Sequence, residues 1–130
     1  MTDGEWVTLP MGRARREESG IVYVLIESHT PAPGDDPVQA AVELIDMMKS
    51  KLVPEGQAPT LIDARGLEWM DRDLREVVTS STHASARAIV ARTASAKATA
   101  GALATVDRPR VPTRVFSNET DARAWLEDFL

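Results

Sequence analysis

Residues 35–64 read DDPVQAAVELIDMMKSKLVPEGQAPTLIDA, and this stretch decides the fold class. Asp36 followed by Pro37 marks a helix start: a capping carboxylate stands ahead of a proline whose missing N–H the first turn does not use. Ala41, Val42, Ile45, Met48 and Leu52 then return at the spacing that gathers side chains on one helix face. Pro54 and Gly56 end the pattern. Thr60-Leu-Ile-Asp-Ala64 follows as a short apolar run without alternation, the mark of a strand buried on both faces. A helix that runs within a few residues into such a strand is half of a crossover unit, and crossover units build parallel sheets.

Toward the N-terminus, Ile21 to Ser28 is dense in β-branched and aromatic residues, and the proline-rich segment from His29 to Pro37 separates it from the helix as a loop. Trp6 to Met11 alternates loosely. With the charged stretch Gly12 to Gly20 read as a turn, the two apolar runs form a hairpin. Toward the C-terminus, Asp71 opens a helical pattern carrying Leu74, Val77, Val78 and Ser81 on one face, and Ala88 to Ala91 is the next strand. Ser95 caps a third helix, Ala96 to about Thr105, with Ala98, Ala102, Leu103 and Val106 as its face. Beyond Pro109 and Pro112, Thr113 to Phe116 reads as a strand, Ser117 or Asn118 as a cap, and Ala122, Trp125, Leu126 and Phe129 as the apolar stripe of a last helix. The expectation is one α/β domain over residues 1–130, an N-terminal hairpin followed by alternating strands and helices, with a mixed sheet of about five strands and four helices.

Composition narrows the function. The chain has 130 residues, 43% hydrophobic, enough for one core. It has no cysteine, so disulfides, thiolate metal sites and cysteine nucleophiles are excluded, and a reducing, cytoplasmic setting is expected. The longest apolar run, Ile21 to Ile26, is far short of a membrane span, and no apolar stretch follows a basic start. Twenty acidic against 15 basic residues give a net charge of -5, which opposes attraction to nucleic acid and to anionic lipid. Two local basic groups stand against this trend, Arg13, Arg15 and Arg16, and Arg108, Arg110 and Arg114. A loop between helix and strand also stays soluble by carrying such charges.

Leu61-Ile-Asp-Ala-Arg-Gly-Leu67, Met70-Asp71, Pro112-Thr-Arg-Val-Phe-Ser-Asn-Glu119 and Ala122-Arg-Ala-Trp-Leu126 together resemble an uncharacterised bacterial family of the STAS or SpoIIAA-like kind, the fold of anti-sigma-factor antagonists. The resemblance covers roughly Ile21 to Leu130. It implies a domain that works by binding another protein, or a second copy of itself as a homodimer. In the antagonists a Met-Asp-Ser-Ser-Gly-type motif carries a phosphorylated serine at a helix start. Here the stretch is Met70-Asp71-Arg72-Asp73-Leu74, so arginine and aspartate replace the serines and the phospho-switch is absent. Asp73 reproduces phosphate only in part, with one charge where phosphoserine has closer to two. The lipid-carrying CRAL-TRIO domains share the broad fold but are much larger than this chain.

Asp63, Asp71 and Asp73 are the most suggestive cluster, at the carboxyl edge of the sheet where open α/β folds bind ligands. Such carboxylates can hold a hard cation, and with Arg65 they can serve a small ligand or an enzyme. Cap chemistry is nevertheless a sufficient explanation for them: Asp71 caps a helix, Asp73 meets the positive end of its dipole, and Asp63 ties down a turn. Arg65 and Arg72 flank the cluster as a surface for a partner or as solvated partners of Asp63, Glu68 or Asp73. Trp69 precedes the Asp71 cap, where it is either an exposed interaction anchor or a staple packed on the first turn. His29 and His83 have no partner at the spacing of a metal motif or a triad, and no phosphate loop occurs. The expected function is therefore a non-enzymatic interaction domain acting through Asp63, Arg65, Glu68, Trp69, Asp71, Arg72 and Asp73, with no catalytic set, cofactor or metal. Met47 and Met48 offer a dimer face, though Met48 also fits the helix stripe.

Overall fold

In the computed structural model, which describes residues 4–9, 12–27, 36–54, 56–64, 84–102 and 111–130, Asp36 caps helix α1 (Pro37–Lys51) as expected. Its carboxylate accepts the Val38 N–H at 2.9 Å. At the other end the Leu52 and Val53 N–H groups both turn back to the Met48 carbonyl, and Gly56 adopts a positive φ of 111° that suits glycine. Ala41, Met48 and Leu52 are buried, with Leu44 and Met47 packed against the same core. Val42 is exposed instead, so the stripe is rotated slightly from the predicted one. Met48 is buried in the core, and Met47 is half-buried against it.

Among the described residues the sheet has six strands in sequential order, β1 (Val7–Leu9), β2 (Gly12–Arg16), β3 (Val22–Ile26), β4 (Ala58–Asp63), β5 (Ala84–Val90) and β6 (Thr113–Phe116). The first three are antiparallel and β3 to β6 are parallel. The α/β class and the mixed sheet follow the expectation; the strand count does not, because Gly12 to Arg16 is a strand and not part of a turn. Ala14 is fully buried, and a Cβ at Gly12 would lie 1.9 Å from the Leu25 carbonyl oxygen, so only glycine permits this pairing. Arg13 and Arg15 leave the sheet on the opposite face. The arginine alternation looks like a charged loop in sequence and is a strand with one small-residue face and one cationic face. β5 also begins four residues ahead of Ala88, at Ala84.

Helix α1 joins β3 to β4, and α2 (Ala94–Gly101) follows β5. Both pack on one face of the sheet, over Val22, Val24, Ile26 and Ile89. The cap of α2 is Thr93, whose Oγ1 accepts the Ala96 N–H at 3.1 Å, and not Ser95. Its buried residues are accordingly Ala96, Thr99 and Ala100, while Ala98 is exposed. Helix α3 (Glu119–Leu126), capped by Asn118, lies on the opposite face. There Ala122 and Leu126 meet Leu61, Ala86, Ala88 and Val90, and Trp125 sits between Phe116 and Phe129 with ring centroids 5.8 and 5.0 Å away. Three α-helices thus occur among the described residues. The helix expected after Asp71, with Leu74, Val77, Val78 and Ser81, lies outside them, as do Leu103 and Val106. No described helix is long and apolar enough to cross a membrane.

Candidate functional site

Strand alternation places Arg13 and Arg15 of β2, Tyr23 and Leu25 of β3, and Leu61 and Asp63 of β4 on the α3 side of the sheet. Helix α3 is eight residues long and packs on β4, β5 and β6. The β1–β3 half of this side stands beside α3 as a shallow depression of about 310 Å³ bordered by Trp6, Arg15, Tyr23, Glu17 and Arg123. Trp6 immediately precedes β1, and Val7 pairs with Ala14, so continuing the register sets Trp6 opposite Arg15. The guanidinium carbons of Arg13 and Arg15 lie 4.6 and 4.5 Å from the centre of the Trp6 ring. Tyr23 meets Trp6 edge-on, with centroids 6.0 Å apart, and the Arg123 guanidinium stands 5.6 Å from the Tyr23 ring. The Arg13 and Arg15 guanidiniums are thus within cation–π range of the Trp6 ring.

Two further groups rim this surface. Glu17 takes both terminal nitrogens of Arg123, one at 2.9 Å, in a bidentate pair, and Glu119 approaches the same guanidinium at 3.6 Å. The hydrogen bond to Glu17 raises the Arg123 pKa above its ordinary value. Arg13 has a looser, exposed pair with Glu27 at 3.7 Å. Arg16 points to the other face, where its Nη1 donates to the Leu52 carbonyl at 3.1 Å.

Asp63 ends β4 beneath α3 with its side chain 2% exposed. Tyr23 Oη donates to one carboxylate oxygen and Arg92 Nη1 to the other, each at 3.0 Å. Of the seven residues expected to form the interaction or ligand site, Asp63 is the one within the described residues. Arg65, Glu68, Trp69, Asp71, Arg72 and Asp73 lie outside them, as do His29, His83, Arg108 and Arg110. No group of three or more histidine, cysteine or acidic residues arranged to hold a metal occurs among the described residues. Arg87, on the α1 and α2 side of the sheet, is 2% exposed, and burial lowers its pKa to about 10.

Sequence reasoning flagged Arg13 and Arg15 as a basic patch but did not join them to Trp6, Tyr23 and Arg123. The signal that joins them is a register: two arginines two residues apart on one strand, with a tryptophan one hairpin away.

A family model described as a domain of unknown function (DUF7793) matches residues 18–130. Tyr23, Asp63, Arg92 and Arg123 fall inside that match, and Trp6, Arg13, Arg15 and Glu17 precede it. No curated protein and no solved structure matches the chain.

Proposed function

The chain belongs to the DUF7793 family, and we propose that this domain is a non-enzymatic interaction and regulatory module of STAS-like build, working in the cytoplasm on a protein partner or on a second copy of itself. The consecutive parallel order of β3 to β6, with α1 and α2 on one face, supports the STAS-like reading. One observation carries the interaction reading. The β1–β3 half of the sheet presents Trp6, 38% exposed and stacked by two arginines, beside Tyr23. Aromatic residues and arginines are the side chains that anchor protein interfaces, and their stacking removes part of the entropy cost of binding in advance.

The competing reading assigns Asp63, Asp71 and Asp73 to a metal, a small ligand or catalysis. Asp63 argues against it, since both of its oxygens serve Tyr23 and Arg92. The Glu68–Asp73 turn stays in the proposal as a second contact element implied by the STAS-like resemblance.

Site-specific photocrosslinking in the source cells tests the proposal. A photoreactive side chain replaces Trp6, Trp69 or, on the outer side of α1, Asp46. A discrete protein adduct from position 6, with or without one from position 69, and none from position 46, is the expected result. Adducts of equal yield from all three positions, or none from positions 6 and 69, overturn it.

A further inference from the structure

Resting on the interaction reading and giving its second-copy arm a structure, we infer that two copies of the chain pair by exchanging their β1–β2 hairpins about the Glu17–Gly20 turn. Each site then takes Trp6, Arg13 and Arg15 from one copy and Tyr23 and Arg123 from the other. Two boundaries coincide at that turn. The family match begins at residue 18 and takes in β3 to β6 with the three described helices, leaving β1 and β2 outside. The sheet changes character at the same place, since β2 is antiparallel to β3 while β3 to β6 run parallel. The hairpin is thus a unit outside the matched domain, laid along the outer edge of β3.

Its contacts divide in the same way. Within the hairpin, Val7, Thr8 and Leu9 pair with Ala14, Arg13 and Gly12, the Gly4 N–H reaches the Arg16 carbonyl at 2.8 Å, and Trp6 lies against Arg13 and Arg15. These travel with it. Its contacts with the rest of the chain, among them β2 on β3, Ala14 in the core, Arg16 on the Leu52 carbonyl and Trp6 on Tyr23, all cross the turn and form equally well with a second copy. Exchange therefore sacrifices no contact beyond the turn itself.

The β3 edge selects this occupant over other strands. A Cβ at Gly12 would lie 1.9 Å from the Leu25 carbonyl oxygen, and Ala14 is fully buried, so the strand beside β3 needs small residues on its core side. A second β3 in that place would set valine or isoleucine where glycine alone has room. Among the described strands only β2 carries a glycine. The turn also suits the open form. The β2–β3 register sets Glu17 opposite Ile21, with the Glu17 N–H on the Ile21 carbonyl at 2.8 Å, and centres on Ser19. Extended, the turns of two copies place Ser19 opposite Ser19, and the antiparallel ladder runs on in phase from one copy into the other.

The chain has no cysteine, so an engineered pair reports which copy supplies each hairpin. Ala14 and Val24 face each other across β2 and β3. The Ala14→Cys, Val24→Cys variant is refolded from urea at millimolar protein, oxidised and run on a non-reducing denaturing gel, beside light scattering of wild type refolded in the same way. The expected result is a wild-type dimer of twice the 14.2 kDa chain mass and a variant bridged between chains, at that doubled mass on the gel. Val24→Cys alone stays unbridged. A flexible glycine–serine insertion after Ser19 lets each hairpin close on its own chain and lowers the dimer fraction on the order of tenfold. Circular dichroism matching wild type shows that each variant is folded.

A wild type that stays monomeric, or a double variant bridged within one chain, overturns the inference. So does a bridged Val24→Cys single variant, which marks β3 paired with β3, or an insertion that leaves the dimer fraction unchanged. Photocrosslinks from position 6 with any of these outcomes leave the interaction module standing and remove only the exchange; with no photocrosslink from positions 6 and 69, both fall.

Discussion

Removing one oxygen, in Tyr23→Phe, tests whether Asp63 is an anchor of the fold or a carboxylate held for chemistry. The substitution keeps the ring that meets Trp6 and Arg123 and deletes the donor to Asp63. A hydrogen bond to an ionised group contributes roughly 1.5–3 kcal/mol, and the Asp63 oxygen it leaves behind is too buried to recruit water freely, so a loss of about 2 kcal/mol is expected. Asp63→Asn keeps the shape and removes the charge. Arg92 is half exposed and turns to solvent at little cost, but the buried amide N–H₂ that takes the place of the oxygen it bonded brings donors where an acceptor stood, giving a loss of about 2 kcal/mol as well. In a chain of this length, 2 kcal/mol corresponds to about 7 °C in Tm. The two changes share one bond, so the double variant falls short of additivity by about 1 kcal/mol. Urea denaturation followed by circular dichroism, with unchanged m values, measures all four corners of the cycle. An Asp63→Asn variant more stable than wild type is the behaviour of a carboxylate kept at a stability cost for ligand or catalysis, and would refute the structural assignment. Strict additivity would refute the contact.

Gly12→Ala places a Cβ against the Leu25 carbonyl and costs more than about 2 kcal/mol, with amide exchange accelerated in β1 and β2 while β4 and β5 keep their protection. Leu126→Ala opens a cavity between α3 and the sheet and lowers stability by about 2–5 kcal/mol in urea titrations. Arg87 gives a pH dependence of defined sign. Its folded pKa of about 10 lies below the ordinary arginine value of the unfolded chain, so its charge opposes folding at neutral pH, and the penalty shrinks as pH rises through 10. The stability of wild type relative to Arg87→Met therefore improves by about 1 kcal/mol between about pH 9 and 11. A difference that stays constant over that interval contradicts the burial effect.

What the sequence disclosed followed the strength of its local signals. Asp36-Pro37 and Asn118 announce α1 and α3 because a capping side chain acts over two or three residues. The stripe Ala122, Trp125, Leu126 and Phe129 packs as its period demands. β2 was hidden because the signal there is two small residues facing inward between arginines, and hydropathy reads only the arginines. The alanine-rich start of α2 offers no period, and Ser95 reads as its cap although Thr93, two residues earlier, holds that place. Asp63 was placed at the right strand end, but its partners Tyr23 and Arg92 stand 40 and 29 positions away, and their approach depends on the sheet register and on the path beyond β5. The Trp6 and Arg15 stack is likewise a product of register, invisible until β1 and β2 are paired.

Every strand of this sheet hydrogen-bonds to the one made just before it, so the sheet can grow in the order of synthesis, with no strand inserted late between neighbours. Helix α3 is the exception. The clasp of Arg123 on Glu17 spans 106 positions, and until residues as far as Leu126 have emerged, the strip formed by Leu61, Ala88 and Val90 lacks its cover. A nascent chain carrying the finished sheet is therefore sticky on one side, and the arrival of its last helix is the step that makes it safe among other chains.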